Sequence, residues 1–146
     1  MEENILEQVP DIKLYKKNTI TICTFLTGPL VGGYLIAENF NQLNERRNAI
    51  KTWIFTISGT AILFCSLVFI PELEKIPNFL FAILYTLLAS FFVQRYQEAK
   101  IKLHEKKGGQ FFPAWRAVIA SVISLALTIA LFFLILLISS PEVFQE

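Results

Sequence analysis

Four apolar blocks alternate with short charged segments along the chain. The blocks cover residues 19–37, 50–70, 79–93 and 117–138, and residues 52–70 and 117–138 contain no Asp, Glu, Lys or Arg. A soluble helix carries polar residues along one side, whereas an uncharged apolar run of about 18 residues or more is typical of a transmembrane helix. The pattern therefore predicts an all-α polytopic membrane protein with four transmembrane helices in one bundle.

Interfacial residues extend the blocks at both ends. The third block gains Pro77, which suits a first helical turn, and Arg95, whose long side chain can reach the headgroups. With such ends included, the membrane segments are predicted at residues 19–38, 50–70, 77–96 and 115–139. A basic loop at 97–114 separates the last two segments. Residues 1–146 are therefore expected to form a single integral-membrane domain.

Composition supports the same class. Hydrophobic residues make up 54% of the chain and charged residues only 17%, whereas soluble proteins are about 25% charged. The two cysteines, Cys23 and Cys65, each lie inside an apolar block and form no Cys-x-x-Cys pair. Both are expected to be small buried hydrophobes rather than parts of a disulfide or metal site.

The distribution of Lys and Arg predicts the orientation, because basic residues are retained in short cytoplasmic loops. Three segments are basic, with Lys13, Lys16 and Lys17 in the N-terminal tail, Arg46, Arg47 and Lys51 in the first loop, and Arg95, Lys100, Lys102, Lys106, Lys107 and Arg116 in the third. The second loop has Lys75 alone. Loops 39–50 and 97–114 are therefore predicted to be cytoplasmic.

The first block contains a helix-breaking pair, Gly28 and Pro29. A helix kinked at this pair would span the membrane, and this is the favoured interpretation because four blocks share a packing pattern. Small or hydroxyl residues recur every four positions, as in Thr24, Gly28 and Gly32; Thr52, Thr56 and Thr60; Ala82, Thr86 and Ser90; and Ala120, Ser124 and Thr128. Such faces let membrane helices approach closely.

The alternative is a re-entrant segment that turns at Gly28-Pro29 and returns to the side it entered from. Twelve of the thirteen basic residues would then lie on the cytoplasmic side, which the positive-inside rule favours. Non-helical backbone at membrane depth must be buried in protein or line a wet cavity, and three other helices are few for that purpose.

The stretch GPLVGGYLIAENF and the basic loop after it resemble the start of small multi-span bacterial inner-membrane proteins of unassigned function. The resemblance covers about the first third of the chain. It implies a bacterial cytoplasmic membrane, and it assigns no function to any residue.

Three groups of residues are candidate sites. The helix break and its packing surface comprise Gly28, Pro29, Gly32 and Gly33. Possible polar contacts at the end of the first block are Tyr34, Glu38 and Asn39. Contacts to anionic lipid or to a partner are expected from Arg95, Lys100, Lys102, Lys106 and Lys107.

Catalytic chemistry is not expected. The chain has one histidine, His104, inside a basic segment, and no motif that pairs a nucleophile with a base. Trp53 and Trp115 stand at block ends, where aromatic residues anchor membrane helices. The sequence therefore predicts no enzyme, no cofactor, no metal and no nucleic-acid partner.

The function predicted first is that of a membrane-embedded interaction or structural component. Its partners would be the lipid bilayer and either a membrane protein or further copies of the same chain. One alternative is an oligomeric transporter or channel that uses the broken first helix. The other alternative is a lipid-binding membrane protein.

Overall fold

The computed structural model describes residues 11–139, and the fold in this range is all-helical, as predicted. Six helices follow one another: α1 (Lys17–Thr27), α2 (Pro29–Gln42), α3 (Arg46–Phe69), α4 (Asn78–Tyr96), α5 (Glu98–Lys106) and α6 (Ala114–Ser139). A 3₁₀ turn (Pro71–Lys75) joins α3 to α4. Two short strands, β1 (Lys13–Leu14) and β2 (Gln110–Phe111), pair in parallel, with Lys13 opposite Gln110.

Three of these helices, α3, α4 and α6, are long and apolar enough to cross a membrane. They contain 24, 19 and 26 residues, and at most 11% of the most apolar stretch of each is buried within the protein. Apolar side chains that face outward over such lengths match a lipid environment rather than water.

The first apolar block differs from the predicted kinked helix, because it forms two separate helices. Gly28 lies between α1 and α2 with φ 104° and ψ −178°, a conformation that side chains disfavour. Pro29 disfavours the helical conformation of the residue before it and has no N–H to donate, and here it begins α2 rather than bending α1. The Gly28 N–H donates to the Thr24 carbonyl at 2.9 Å, and this hydrogen bond is the last one of α1.

Helices α1 and α2 fold back on each other as an antiparallel hairpin. Near the turn, a Cβ added at Gly32 would lie only 3.1 Å from Thr24 Cγ2. At the other end, the Asn39 side chain contacts the backbone of Tyr15. In each pair, the two residues are almost equally far from Gly28 along the chain. The start of α1 and the end of α2 therefore lie side by side.

The hairpin is the centre of the fold. Most of the buried apolar side chains belong to it or to the residues leading into it, including Leu14, Tyr15, Ile20, Val31, Leu35, Ile36 and Phe40. Helix α4 packs mainly on α1, where Thr21 Oγ1 lies 3.2 Å from Ser90 Oγ. Helix α3 packs on α2, and α6 packs on both arms of the hairpin.

Asn39 and Gln97 form a buried hydrogen-bond network, which we call the polar clamp together with the backbone groups it binds. Asn39 Oδ1 accepts from the Tyr15 N–H at 2.7 Å, and Asn39 Nδ2 donates to the Tyr15 carbonyl at 3.0 Å. Asn39 Nδ2 also lies 3.3 Å from Gln97 Oε1, and Gln97 Nε2 donates to the Ile36 carbonyl at 2.8 Å. The network joins the start of α1 to α2 and to the junction of α4 with α5.

Replacement of Asn39 by Leu should destabilise the protein strongly. The variant leaves the buried N–H and carbonyl of Tyr15 without the Asn39 side chain, and we expect a loss of about 2–4 kcal/mol of unfolding free energy. Asn41, which is exposed on the same helix, provides the control, since Asn41→Leu should change stability by less than about 0.5 kcal/mol. Denaturant unfolding in mild detergent measures both. Equal stability of the two variants would contradict a central role for the clamp.

Candidate functional site

A groove of about 780 Å³ opens between α3 and α4. These two helices pack mainly on different arms of the hairpin, α3 on α2 and α4 on α1, so a space remains between them. The hairpin forms the floor of the groove through Thr24, Pro29, Gly33, Ile36 and Phe40. We refer to this space as the lateral groove.

The walls of the lateral groove are largely apolar, and four of the hydroxyl groups that line it, those of Thr24, Thr52, Thr60 and Ser66, donate within their own helix. Thr52 and Thr60 on α3 donate to the carbonyls of Asn48 and Thr56 of their own helix, at 2.8 and 2.7 Å. Thr24 on the floor donates to the Ile20 carbonyl at 2.7 Å. These hydroxyl donors are already satisfied, so they make little demand for a polar ligand.

One end of the groove is polar and aromatic. Asn48 and Lys51 line it at the start of α3, and Tyr96 lines it at the end of α4. One turn further in, the rings of Phe55 and Phe92 meet across the groove with their centroids 6.3 Å apart. Phe92 also stacks on Tyr96 at 5.8 Å. The far end is formed by apolar side chains with Ser66.

The residues predicted at the helix break all lie near the hairpin turn. Gly32 packs against Thr24 of α1, whereas Gly33 packs against Thr56 of α3. A side chain at either position would collide with that threonine. Pro29 and Gly33 also line the lateral groove, so the break and the groove are neighbours.

The predicted polar contacts Tyr34, Glu38 and Asn39 are separated from the groove. Asn39 belongs to the polar clamp, and Glu38 lies 3.3 Å from Arg116 at the start of α6. The Tyr34 ring lies 6.4 Å from that of Trp53. Tyr34 and Glu38 are among the neighbours of the buried Tyr15 phenol, whose pKa is raised, first of all by burial.

The basic residues gather at one end of the molecule, which we call the basic face and define as residues 13–18, 42–51 and 95–116. Ion pairs connect these segments to each other and to the end of α2. They are Lys16–Glu105, Lys17–Glu98, Lys100–Glu45, Lys102–Glu98 and Arg116–Glu38. Of the five bases predicted to contact anionic lipid or a partner, Lys100 and Lys102 are thus engaged internally. Within residues 11–139, Arg95, Lys106 and Lys107 have no carboxylate within ion-pair distance.

The single histidine has a structural position. His104 is 4% exposed, its Nε2 lies 2.7 Å from the Gln110 carbonyl, and its ring packs edge-on against Phe111. Gly109 lies so close to the imidazole that a side chain there would collide with it. Among residues 11–139, no three His, Cys, Asp or Glu side chains gather in a way that could hold a metal ion.

Two parts of this arrangement are not predicted by the sequence pattern. Gln97 lies in the predicted polar loop, yet it is 1% exposed and belongs to the clamp. Lys51 and Asn48 stand where the pattern indicates only a loop and a helix start, yet both line the groove. The sequence feature that could have located the groove is the regular spacing of Thr52, Thr56 and Thr60, because the helix face that carries them lines the groove.

Comparison of the chain with protein-family models, with curated proteins and with solved structures gives no match. The function is therefore inferred from the geometry of the hairpin, the groove and the basic face.

The ion pair between Glu45 and Lys100 should make stability depend on pH. Burial raises the pKa of the Glu45 carboxyl, but hydrogen bonds from Lys100 and Asn48 outweigh burial and hold the pKa below its ordinary value of 4.5. Because the pKa of Glu45 is lower in the folded than in the unfolded state, its ionised carboxylate stabilises the fold at pH values above 4.5. This stabilisation is lost as the pH falls through the pKa of the folded state.

We therefore expect Glu45→Gln to lower the unfolding free energy by less than about 1 kcal/mol at neutral pH and to have no effect in strong acid. Thermal unfolding in detergent at about pH 7 and about pH 3 measures the difference. Glu105→Gln, which removes the longer and more exposed pair with Lys16, is the control. A Glu45→Gln effect that is equally large at both pH values would contradict the assignment.

Proposed function

We propose that the chain is an integral membrane protein with three spans, α3, α4 and α6, and a re-entrant hairpin, α1–α2, that enters from the basic face. Helix α1 has 11 residues, which corresponds to about 16 Å. That length reaches about the middle of a hydrocarbon core roughly 30 Å thick. The turn at Gly28 would then lie near mid-membrane, enclosed by the spans.

The charge distribution supports this topology and gives the orientation. The hairpin returns the N-terminal lysines to the same end of the molecule as α5, where Lys17 pairs with Glu98 at 3.5 Å. Twelve of the thirteen basic residues then belong to one side of the membrane, and only Lys75 belongs to the other. The positive-inside rule makes that side cytoplasmic, and we propose the bacterial cytoplasmic membrane as the location.

Within that membrane, we propose a binding role, that of an embedded interaction component. The observation that carries the proposal is the lateral groove, which residues 11–139 leave open along α3 and α4. In a bilayer such an opening must be occupied by another molecule. Its largely apolar walls, with most hydroxyl groups already bonded within their own helix, suit binding better than chemistry.

An oligomeric transporter is the second candidate, because the break at Gly28-Pro29 adjoins the groove. Pro29 lines the groove, and a broken helix at mid-membrane exposes carbonyl and N–H groups that can hold a substrate. One chain with three spans gives few walls for a transport pathway, so this role requires several copies.

Cysteine accessibility on intact cells tests the topology. In a Cys23→Ser, Cys65→Ser background, Lys16→Cys, Lys107→Cys and Glu74→Cys are each treated with a membrane-impermeant thiol reagent. All three positions are exposed. We expect Glu74→Cys to react in intact cells, and Lys16→Cys and Lys107→Cys to react only after lysis.

Lys107→Cys is the matched control for Lys16→Cys, because both positions belong to the basic face. Labelling of Lys16→Cys in intact cells, together with protection of Lys107→Cys, would mean that the first block spans the membrane. That result would overturn the re-entrant topology.

A further inference from the structure

We propose that the lateral groove binds the hydrocarbon chain of an anionic membrane lipid and holds its headgroup beside Lys51. This inference rests on the proposed membrane topology and names the class of molecule that the groove takes. Four properties support it, namely the width of the groove, its length, its walls and the charges at its polar end.

A constriction at Phe55 and Phe92 disfavours a helix as the occupant of the groove. The rings of Phe55 and Phe92 face each other across it with centroids 6.3 Å apart. An α-helix with side chains is about 10–12 Å across, so it could not lie between α3 and α4 at this pair without separating the two rings. A single hydrocarbon chain is much thinner than a helix, so it is the occupant that a groove with such a constriction favours.

The length suits a long chain. Lys51 and Ser66 both line the groove, and fifteen residues of helix correspond to about 22 Å. One leaflet of the hydrocarbon core is about 15 Å thick. A chain that enters from the basic face can therefore lie against protein over the whole of its leaflet.

The walls favour hydrocarbon over a polar ligand. Between the two ends, most lining side chains are apolar: Phe55, Ile62 and Leu63 on α3, and leucines, phenylalanines and Ala89 on α4, with Thr56 and Tyr85 as polar exceptions. The hydroxyl groups of Thr52, Thr60 and Ser66 donate to carbonyls of their own helix at 2.7–2.8 Å. A methylene chain leaves none of these donors unpaired.

The charges at the polar end favour an anionic headgroup. Lysines 100 and 102 of α5 are neutralised by glutamates. By contrast, none of the bases at the start of α3, Arg46, Arg47 and Lys51, has a carboxylate within ion-pair distance among residues 11–139. The nearest acidic group along the chain, Glu45, is already compensated by Lys100. Lys51 lines the groove, and Arg47 lies one helical turn before it on the same face.

Lipid binding to the purified full-length protein tests the proposal. Dioleoyl phosphatidylglycerol and dioleoyl phosphatidylcholine are titrated separately into protein in mild detergent, and retained lipid is counted by native mass spectrometry. We expect one phosphatidylglycerol to bind tightly. Phosphatidylcholine should bind more weakly, by about fivefold for each basic side chain that the anionic headgroup attracts.

Two pairs of variants separate groove binding from general lipid attraction. Gly59 lines the groove, and a Cβ added there meets nothing within 4 Å. Gly59→Leu should therefore project a side chain into open space of the groove and reduce binding of both lipids by about tenfold. Ser58→Leu is the control, because Ser58 is exposed on α3 but does not line the groove. It should bind as the unmodified protein does.

For the headgroup, Arg47→Gln with Lys51→Gln should remove the preference for phosphatidylglycerol and leave phosphatidylcholine binding unchanged. Lys106→Gln with Lys107→Gln removes the same charge from the end of α5, which does not line the groove, and should preserve the preference. Equal binding to Gly59→Leu and Ser58→Leu, or equal effects of the two double substitutions, would overturn the proposal.

A photocrosslinker at Leu63 within the groove identifies the occupant in cell membranes. A lipid adduct on this variant supports the proposal, whereas an adduct with a protein would show that a partner helix occupies the groove and would overturn it. Cysteine accessibility on the same variants reports the topology separately. Loss of lipid binding with the expected labelling pattern would reject the lipid and leave the re-entrant topology standing.

Discussion

The contact between Asn39 and the backbone of Tyr15 is the interaction on which the rest of the structure depends. In the proposed membrane topology, a hairpin of two short helices gains little from apolar burial, because lipid is as apolar as its side chains. Two hydrogen bonds stabilise the hairpin instead. They join the Asn39 side chain to the N–H and the carbonyl of Tyr15, which are buried and need partners. Gln97 extends the network to the junction of α4 and α5, so one cluster closes the hairpin and joins it to these helices.

The closed hairpin determines where the other helices can pack. Its two arms present different surfaces: Thr21 on α1 meets Ser90 of α4, and Gly33 on α2 meets Thr56 of α3. Helices α3 and α4 therefore pack on the hairpin rather than on each other, although only the 3₁₀ turn separates them in sequence. The lateral groove is a direct consequence of this arrangement. The proposed binding surface thus depends on one polar contact at the far end of the hairpin.

Local features of the sequence predict much of this fold. Long uncharged runs identify α3, α4 and α6, and Gly28-Pro29 locates the break, because Pro29 acts on its immediate neighbour. The fold-back depends on contacts between residues 24 and 58 positions apart, which no local pattern encodes. The spaced small residues predict contacts among four spans, whereas Gly32 packs within the hairpin. The clustering of lysines is the one global signal for the return of the chain.

Disulfide formation between positions 24 and 32 tests the hairpin most directly. In a Cys23→Ser, Cys65→Ser background, Thr24→Cys with Gly32→Cys is oxidised in membranes and then treated with a maleimide-polyethylene glycol. In the hairpin, a side chain introduced at position 32 lies against the side chain of residue 24. We therefore expect the two cysteines to form a disulfide within one chain, so that the monomer resists labelling until it is reduced. In a continuous kinked helix, eight residues would separate them by about 12 Å, too far for a disulfide. Full labelling after oxidation, or a disulfide-linked dimer, would contradict the hairpin.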